Sequence, residues 1–271
     1  MDIFHKSYEL RANKKEIYDC FESRQYQELI LDQFETNYSW EYWNDLTITP
    51  TIISEWRNLE EKMRSVVESG KKVLSIGGGG TSNTHRMLGE NCELFVVLNP
   101  SIWDLERVPE LKNIKNLRVR GLGEKTPFKN NTFDVIEIPA TIDHCREPQE
   151  VLKECFRVLR NSGLVALTCG NSKSYYRSVL GSLNIRIKDA HSHSHSWHTD
   201  PVSLESLLRG VGFQEVEVVT TAYLKLPKWI ERRINSKISL LVHNYISNTV
   251  LPRVIGKGKG GMIFAKARAI K

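Results

Sequence analysis

Residues 73–84, "VLSIGGGGTSNT", decide how this chain folds. A short apolar run enters four consecutive glycines, Gly77 to Gly80, followed by polar residues able to open a helix near Thr81–Thr84. Without Cβ atoms, such a turn lets a ligand approach the backbone closely, and the N–H groups of the next helix can point at it. Asn99 ends the next apolar run, "ELFVVL", where an α/β nucleotide site reaches for a ribose. A tight strand-to-helix turn with no ligand would need the same glycines.

Downstream of Lys71, short apolar runs alternate with helical stretches. The runs are "KVLSI", "ELFVVL", "NLRVR", "FDVIEI", "GLVALTC", "FQEVEVV" and "GMIFAKAR". Helices fit between most of them, most clearly in "EPQEVLKECFRVLR" and "SLESLLRGVG". This alternation predicts an α/β fold: seven strands in a mostly parallel sheet with helices on both faces. "RNSG" reads as a helix-to-strand turn, with Gly163 suited to a left-handed position.

Residues 1–70 have another character. "KEIYDCFESRQYQELILDQFE" sets Ile17, Phe21, Tyr26, Leu29, Ile30 and Phe34 on a helical stripe. Aromatics Tyr38, Trp40, Tyr42 and Trp43 follow, then a second helix ended by Gly70. The expected organisation is a helical lid over 1–70 and a core over 71–271. The aromatics fit either a wall over the ligand crevice or an anchor for the helices.

The runs "GLGEKTPFKNNTFDVIEI" and "IDHCREPQEVLKECFRVLRNSGLVALT" resemble the class I S-adenosylmethionine-dependent methyltransferases, nearest the small-molecule and lipid-modifying subgroup of the quinone-biosynthesis type. The resemblance spans about Lys71–Thr220 together with "GGMIFAKA" as a last strand. It implies a Rossmann-like sheet with the last strand antiparallel, S-adenosylmethionine as cofactor, and methyl transfer to a small-molecule or lipid- or glycan-linked acceptor. It places the cofactor against Ser75, Gly77, Gly78, Gly79, Asn99, Pro100, Gly123, Glu124, Pro139 and Ala140. Three positions depart from the family pattern. Ser75 stands for the first-strand acid, Asn99 for the ribose-clasping acid, and Leu122 for the acid near the adenine, with Glu124 two residues on. An ionised acceptor makes a bond roughly twice as strong as a neutral one. A cofactor-binding protein without methyl transfer is therefore the contrasting expectation. A nicotinamide enzyme fits less well, because its G-x-G-x-x-G fingerprint meets Ser82 at the sixth position.

Methyl transfer from a sulfonium needs a base only when the acceptor must lose a proton. Asp143 and His144, just past the fourth strand, are candidates, although His144 equally suits local packing. "DAHSHSHSWHTD" offers His195 as a third, in a loop where related enzymes contact substrate. Alternation of His191, His193 and His195 also fits a solvated loop or metal ligation. No cysteine or carboxylate pair supports a metal cage, and no metal is expected.

The chain has 271 residues and a net charge of +6. From Lys225 onward eleven Lys/Arg meet one acid, Glu231, while the remainder carries −4. Segment 225–258 reads as a basic helical insertion before the last strand. It has an apolar stripe of Ile234, Ile238, Leu241, Val242, Tyr245, Ile246 and Val250, with Trp229 near its basic front. A cap packed on the domain and a helix seated on an anionic membrane share that pattern. Nucleic acid is a poor fit, since no RNA-binding module is visible. No secretory h-region or transmembrane run is read, and five scattered cysteines suit a reducing compartment. The expected location is cytoplasmic, with peripheral membrane contact as an added reading.

Overall fold

The computed structural model describes residues 3–4, 11–12, 17–20, 49–67, 71–79, 92–108, 114–182, 199–226 and 228–271. The predicted helix start after the glycines, the aromatics Tyr38–Trp43 and the histidines 191–198 lie outside these residues.

All seven expected strands form, within four residues of their predicted ends. They are β3 (Lys72–Ile76), β4 (Leu94–Asn99), β5 (Lys115–Arg120), β6 (Phe133–Ile138), β7 (Leu159–Gly170), β8 (Gln214–Thr221) and β9 (Met262–Ala269). Two short strands, β1 (Arg11–Ala12) and β2 (Ile17–Asp19), extend the sheet to nine, in the order β1-β2-β5-β4-β3-β6-β7-β9-β8. The fold is Rossmann-like: β2 to β7 pair in parallel, and β9 runs antiparallel between β7 and β8. The chain reverses direction of winding at β3, whose neighbours are β4 and β6. A crevice therefore opens at the carboxyl ends of these strands.

Two predictions need correcting. The helical stripe expected from Ile17 begins as strand β2. Its backbone pairs with the open edge of β5, which otherwise presents unpaired donors and acceptors, and Ile17 is buried. The rest of that stripe lies outside the described residues. The left-handed residue in "RNSG" is Ser162, with φ 62°, not Gly163. Gly163 serves close approach instead: a Cβ there would sit 3.0 Å from the Arg160 carbonyl oxygen and 3.1 Å from that of Asp134.

Helices cover both faces. On one, α3 (Pro148–Val158) buries Val151, Leu152 and Cys155, and α5 (Pro201–Val211) buries Leu204 and Leu208. On the other, α1 (Pro50–Val67) packs Leu59, Met63, Val66 and Val67 against Val73 and Phe95. Helix α1 is thus a core layer, and a lid reading for the N-terminal part now concerns only residues outside those described. Short helices α2 (Ile102–Glu106) and α4 (Tyr175–Ser182) follow β4 and β7. Between β8 and β9 run α6 (Lys228–Glu231), α7 (Lys237–Tyr245), a π turn (Ile246–Val250) and α8 (Leu251–Ile255).

This insertion meets α1 through buried acids. Glu231 is 1% exposed; it accepts from Thr49 Oγ1 at 3.0 Å and Leu226 N–H at 3.1 Å, with Lys225 Nζ 3.6 Å away. Burial pushes the neighbouring Glu55 carboxyl from 4.5 up to about 7; Lys225 opposes the shift and Glu231 adds to it. Folded Glu55 thus keeps a proton that the unfolded chain releases near 4.5. Its stabilising contribution is full below that pH and is lost as pH rises through 7, a change of about 3 kcal/mol. Glu55→Gln should flatten the pH dependence of the urea midpoint between about pH 5 and 8 and raise stability at the upper end. An unchanged profile would place the titration elsewhere.

Candidate functional site

The site is built on strand ends. Ile76 passes into Gly77, which turns left-handed at φ 73° and donates its N–H to the Leu98 carbonyl at 2.8 Å. Each glycine faces a side chain that a Cβ would displace: Gly77 lies against Thr141, Gly78 against Ser75 Oγ, and a Cβ on Gly79 would come 2.7 Å from Asp104 Cβ. Asp104 belongs to α2, whose N-terminus Ser101 caps by accepting the Asp104 N–H at 3.2 Å. Burial raises the pKa of the Asp104 carboxyl.

Asn99 ends β4 as predicted and is buried. Its Nδ2 donates to the carbonyls of Gly77 (3.2 Å) and Gly78 (2.8 Å), and its Oδ1 accepts from Ser101 N–H at 2.8 Å. Both amide hydrogens therefore clasp the glycine loop, a geometry a carboxylate cannot make. Toward a ribose, Asn99 retains only acceptor capacity on Oδ1. Pro100 accepts from Arg120 Nε through its carbonyl at 3.2 Å.

Ser75 is 1% exposed, and among the described residues its Oγ has no hydrogen-bond partner. Its register neighbour on β6 is Glu137, fully buried. A Cβ on Gly78 would lie 3.9 Å from Glu137 Oε1, so serine and carboxylate converge beneath the same glycine. Sequence reading recorded a lost acid at Ser75 and passed over Glu137. The available signal is the second acid of "FDVIEI", set between the apolar residues Ile136 and Ile138.

Beyond β5, Gly123 packs where a Cβ would come 3.0 Å from Ile76 Cγ2. Glu124 turns its carboxylate to the Arg146 N–H at 3.1 Å, and burial raises its pKa. The "PF" signature is structural: Arg157 bonds the Phe128 carbonyl (2.8 Å) and Thr126 Oγ1 (3.1 Å), with Glu154 as its ion-pair partner.

Pro139 and Ala140 follow the end of β6. Ala140 has φ 44° and donates its N–H to Thr168 Oγ1 at 2.9 Å. Strain of this kind clusters at functional sites. A 3-10 turn, Ile142–His144, then holds Asp143, whose Oδ2 accepts from Gly170 N–H at 3.3 Å, while Oδ1 is buried without a partner among the described residues. His144 is half-buried next to it.

His195 lies outside the described residues. The loop carrying it returns at Thr199, whose carbonyl accepts from Ser172 N–H and Oγ, both at 2.8 Å, beside the end of β7. Asp200 caps α5 through Ser203 and pairs with Lys173 at 2.9 Å, so it is a structural residue. Among the described residues, no group of His, Cys, Asp or Glu is arranged to hold a metal. A depression of about 450 Å³ beside Asn131 and Lys271 lies at the opposite edge of the sheet from these groups.

Among the described residues the crevice thus offers a glycine cradle that Cβ atoms would fill, an unpartnered hydroxyl and a buried carboxylate beneath it, and an unpartnered carboxylate oxygen at Asp143. These features fit a ligand with a cationic end, held by backbone approach.

Residues 74–167 match the methyltransferase domain family. Over 176 residues the chain is 28% identical to the ubiquinone/menaquinone biosynthesis C-methyltransferase UbiE of Salmonella paratyphi B, covering 56% of this chain and 70% of the relative. The fold is similar to that of a SAM-dependent methyltransferase of Thermotoga maritima, with TM-score 0.59 and 17% identity over 89% of this chain and 99% of the other. It is also similar to phosphoethanolamine N-methyltransferase 2 of Haemonchus contortus in complex with S-adenosyl-L-methionine, with TM-score 0.51 and 14% identity over 78% and 53% of the two chains.

Proposed function

We propose that this chain, which carries a class I S-adenosylmethionine-dependent methyltransferase domain, methylates a small-molecule or a lipid- or glycan-linked acceptor. The observation that carries the reading is the glycine cradle at the strand-order reversal, Gly77 to Gly79, with Ser75 and Glu137 converging beneath it. When bound, S-adenosylmethionine supplies a methyl group on a sulfonium. The loop backbone and Asn99 shape its seat. Positioning an acceptor for in-line attack contributes about 7–11 kcal/mol in favourable cases. For an acceptor that must lose a proton, Asp143 Oδ1 takes it, while the Gly170 N–H holds the other carboxylate oxygen.

The relative named for quinone biosynthesis supports C-methylation as the first chemistry to test. No described helix is long and apolar enough to cross a membrane. The reading for location is the cytoplasm, with peripheral contact through 225–258. A second reading, cofactor binding without transfer, draws on Asn99 spending its amide on the loop. Incubation with methyl-labelled cofactor and a metabolite extract separates the two. Label in an extractable acceptor, reduced at least tenfold by Asp143→Asn for a hydroxyl acceptor, supports transfer. Saturable cofactor binding with no labelled product supports the second reading.

A further inference from the structure

Helix α7 is inside out. Its apolar residues Ile238, Leu241, Val242 and Tyr245 are spaced i, i+3, i+4 and i+7, which puts them on one face. That face is solvent-exposed, at 75%, 67%, 52% and 60% respectively. The inward face is polar: His243 and Ser247 are buried, and Asn244 donates to Ser54 Oγ on α1 at 2.7 Å. Val254 on α8 and Trp229 on α6 are also exposed, and the Arg233 guanidinium lies over the Trp229 ring at 5.6 Å. The helix is defined at its start by a Ser236–Ser239 capping box.

Charge selects the occupant. Arg232, Arg233, Lys237, Arg253, Lys257 and Lys259, on the same insertion, are exposed. The only acid between 225 and 261 is Glu231, which is turned inward. Exposed apolar side chains with tryptophan, on a segment whose exposed charges are all basic, match the boundary of an anionic bilayer. We infer that the α6–α8 insertion docks on anionic membranes through this face.

Its attachment gives the docking a consequence. Ser247 Oγ accepts from Leu224 N–H at 3.0 Å, and Asn248 Oδ1 from Ala222 N–H at 3.3 Å, both just past β8. Asn171 Nδ2 donates to the carbonyls of Gly258 (3.0 Å) and Gly260 (2.6 Å), one residue beyond the Gly170 that holds Asp143. The insertion therefore sits at the carboxyl edge of the sheet, with the crevice. Resting on the methyltransferase reading, this makes the acceptor an amphiphile drawn from the bilayer.

Co-sedimentation with phosphatidylcholine vesicles, with and without phosphatidylglycerol, tests the docking without cofactor. Binding is expected to rise at least tenfold with the anionic lipid. Leu241→Asp and, separately, Arg232→Glu/Arg233→Glu should each reduce it at least tenfold, with melting temperatures unchanged because these side chains are exposed. Equal binding to both vesicle types, or none, overturns the inference. So does a wild-type dimer that Leu241→Asp converts to monomer without vesicle binding, which would assign the face to a second copy. Cofactor titration on the same samples reports separately on the methyltransferase reading.

Discussion

Replacing Ser75 by aspartate is expected to destabilise the protein rather than restore a family-type acid. Position 75 is 1% exposed and pairs in register with Glu137, itself fully buried. A second carboxylate there would share a dry site with the first. Two like charges so placed cannot both ionise, and one must bind a proton or break the packing. The cost is about 2–4 kcal/mol, from the range for burying an uncompensated charge. The exchange variant Ser75→Asp/Glu137→Ser keeps one carboxylate beneath Gly78 and should recover most of that loss. A double-mutant cycle by urea denaturation measures the coupling. Additive effects would mean that the two side chains do not share a site. In cofactor binding, Glu137→Gln should lower affinity for S-adenosylmethionine about tenfold, the equivalent of one charge-assisted hydrogen bond. 5′-Methylthioadenosine, which lacks the amino-acid part, should bind this variant and the wild type alike.

Gly77→Ala is the second large effect. At φ 73° an alanine is strained, and its Cβ would overlap Thr141, whose Oγ1 donates to the Pro139 carbonyl at 2.7 Å. Left-handed strain of about 1 kcal/mol adds to about 1–3 kcal/mol of overpacking. The displacement reaches both walls of the crevice, because Gly77 lies at the end of β3 and Thr141 follows β6. Cofactor affinity should fall beyond tenfold, together with a lower denaturation midpoint. Gly210→Ala is the matched control. Gly210 lies inside α5 with open space where its Cβ would go, so alanine there should stabilise by about 0.5–1 kcal/mol and leave binding unchanged. Equal effects of the two substitutions would remove the special role assigned to Gly77.

The sheet was legible because buried parallel strands read as continuous apolar runs, as "ELFVVL" and "GLVALTC" do. The glycine cradle was legible because close approach needs glycine. Features set by distant partners were not. Ser75 looked like a missing charge, since the β3–β6 register that sets Glu137 beside it joins residues 62 apart. Ile17 looked helical because its pairing with β5 spans a hundred residues. Gly163 reads as the left-handed residue, but Ser162 makes that turn, and the glycine instead fits a crowded spot beside Leu159 and Asp134. The stripe on α7 was visible in sequence, but which face it presents was not. Two hydrogen bonds decide that by holding the polar face inward: Asn244 donates to Ser54 Oγ, and Ser247 Oγ accepts from the Leu224 N–H.

Calorimetric titration of the wild-type chain with S-adenosylmethionine tests the central assignment most directly. Saturable one-to-one binding is expected, with a dissociation constant below about 1 mM, or about −4 kcal/mol, and with 5′-methylthioadenosine binding more weakly. No heat and no thermal stabilisation at millimolar cofactor would contradict the cofactor site at Gly77–Gly79 and the enzyme reading built on it.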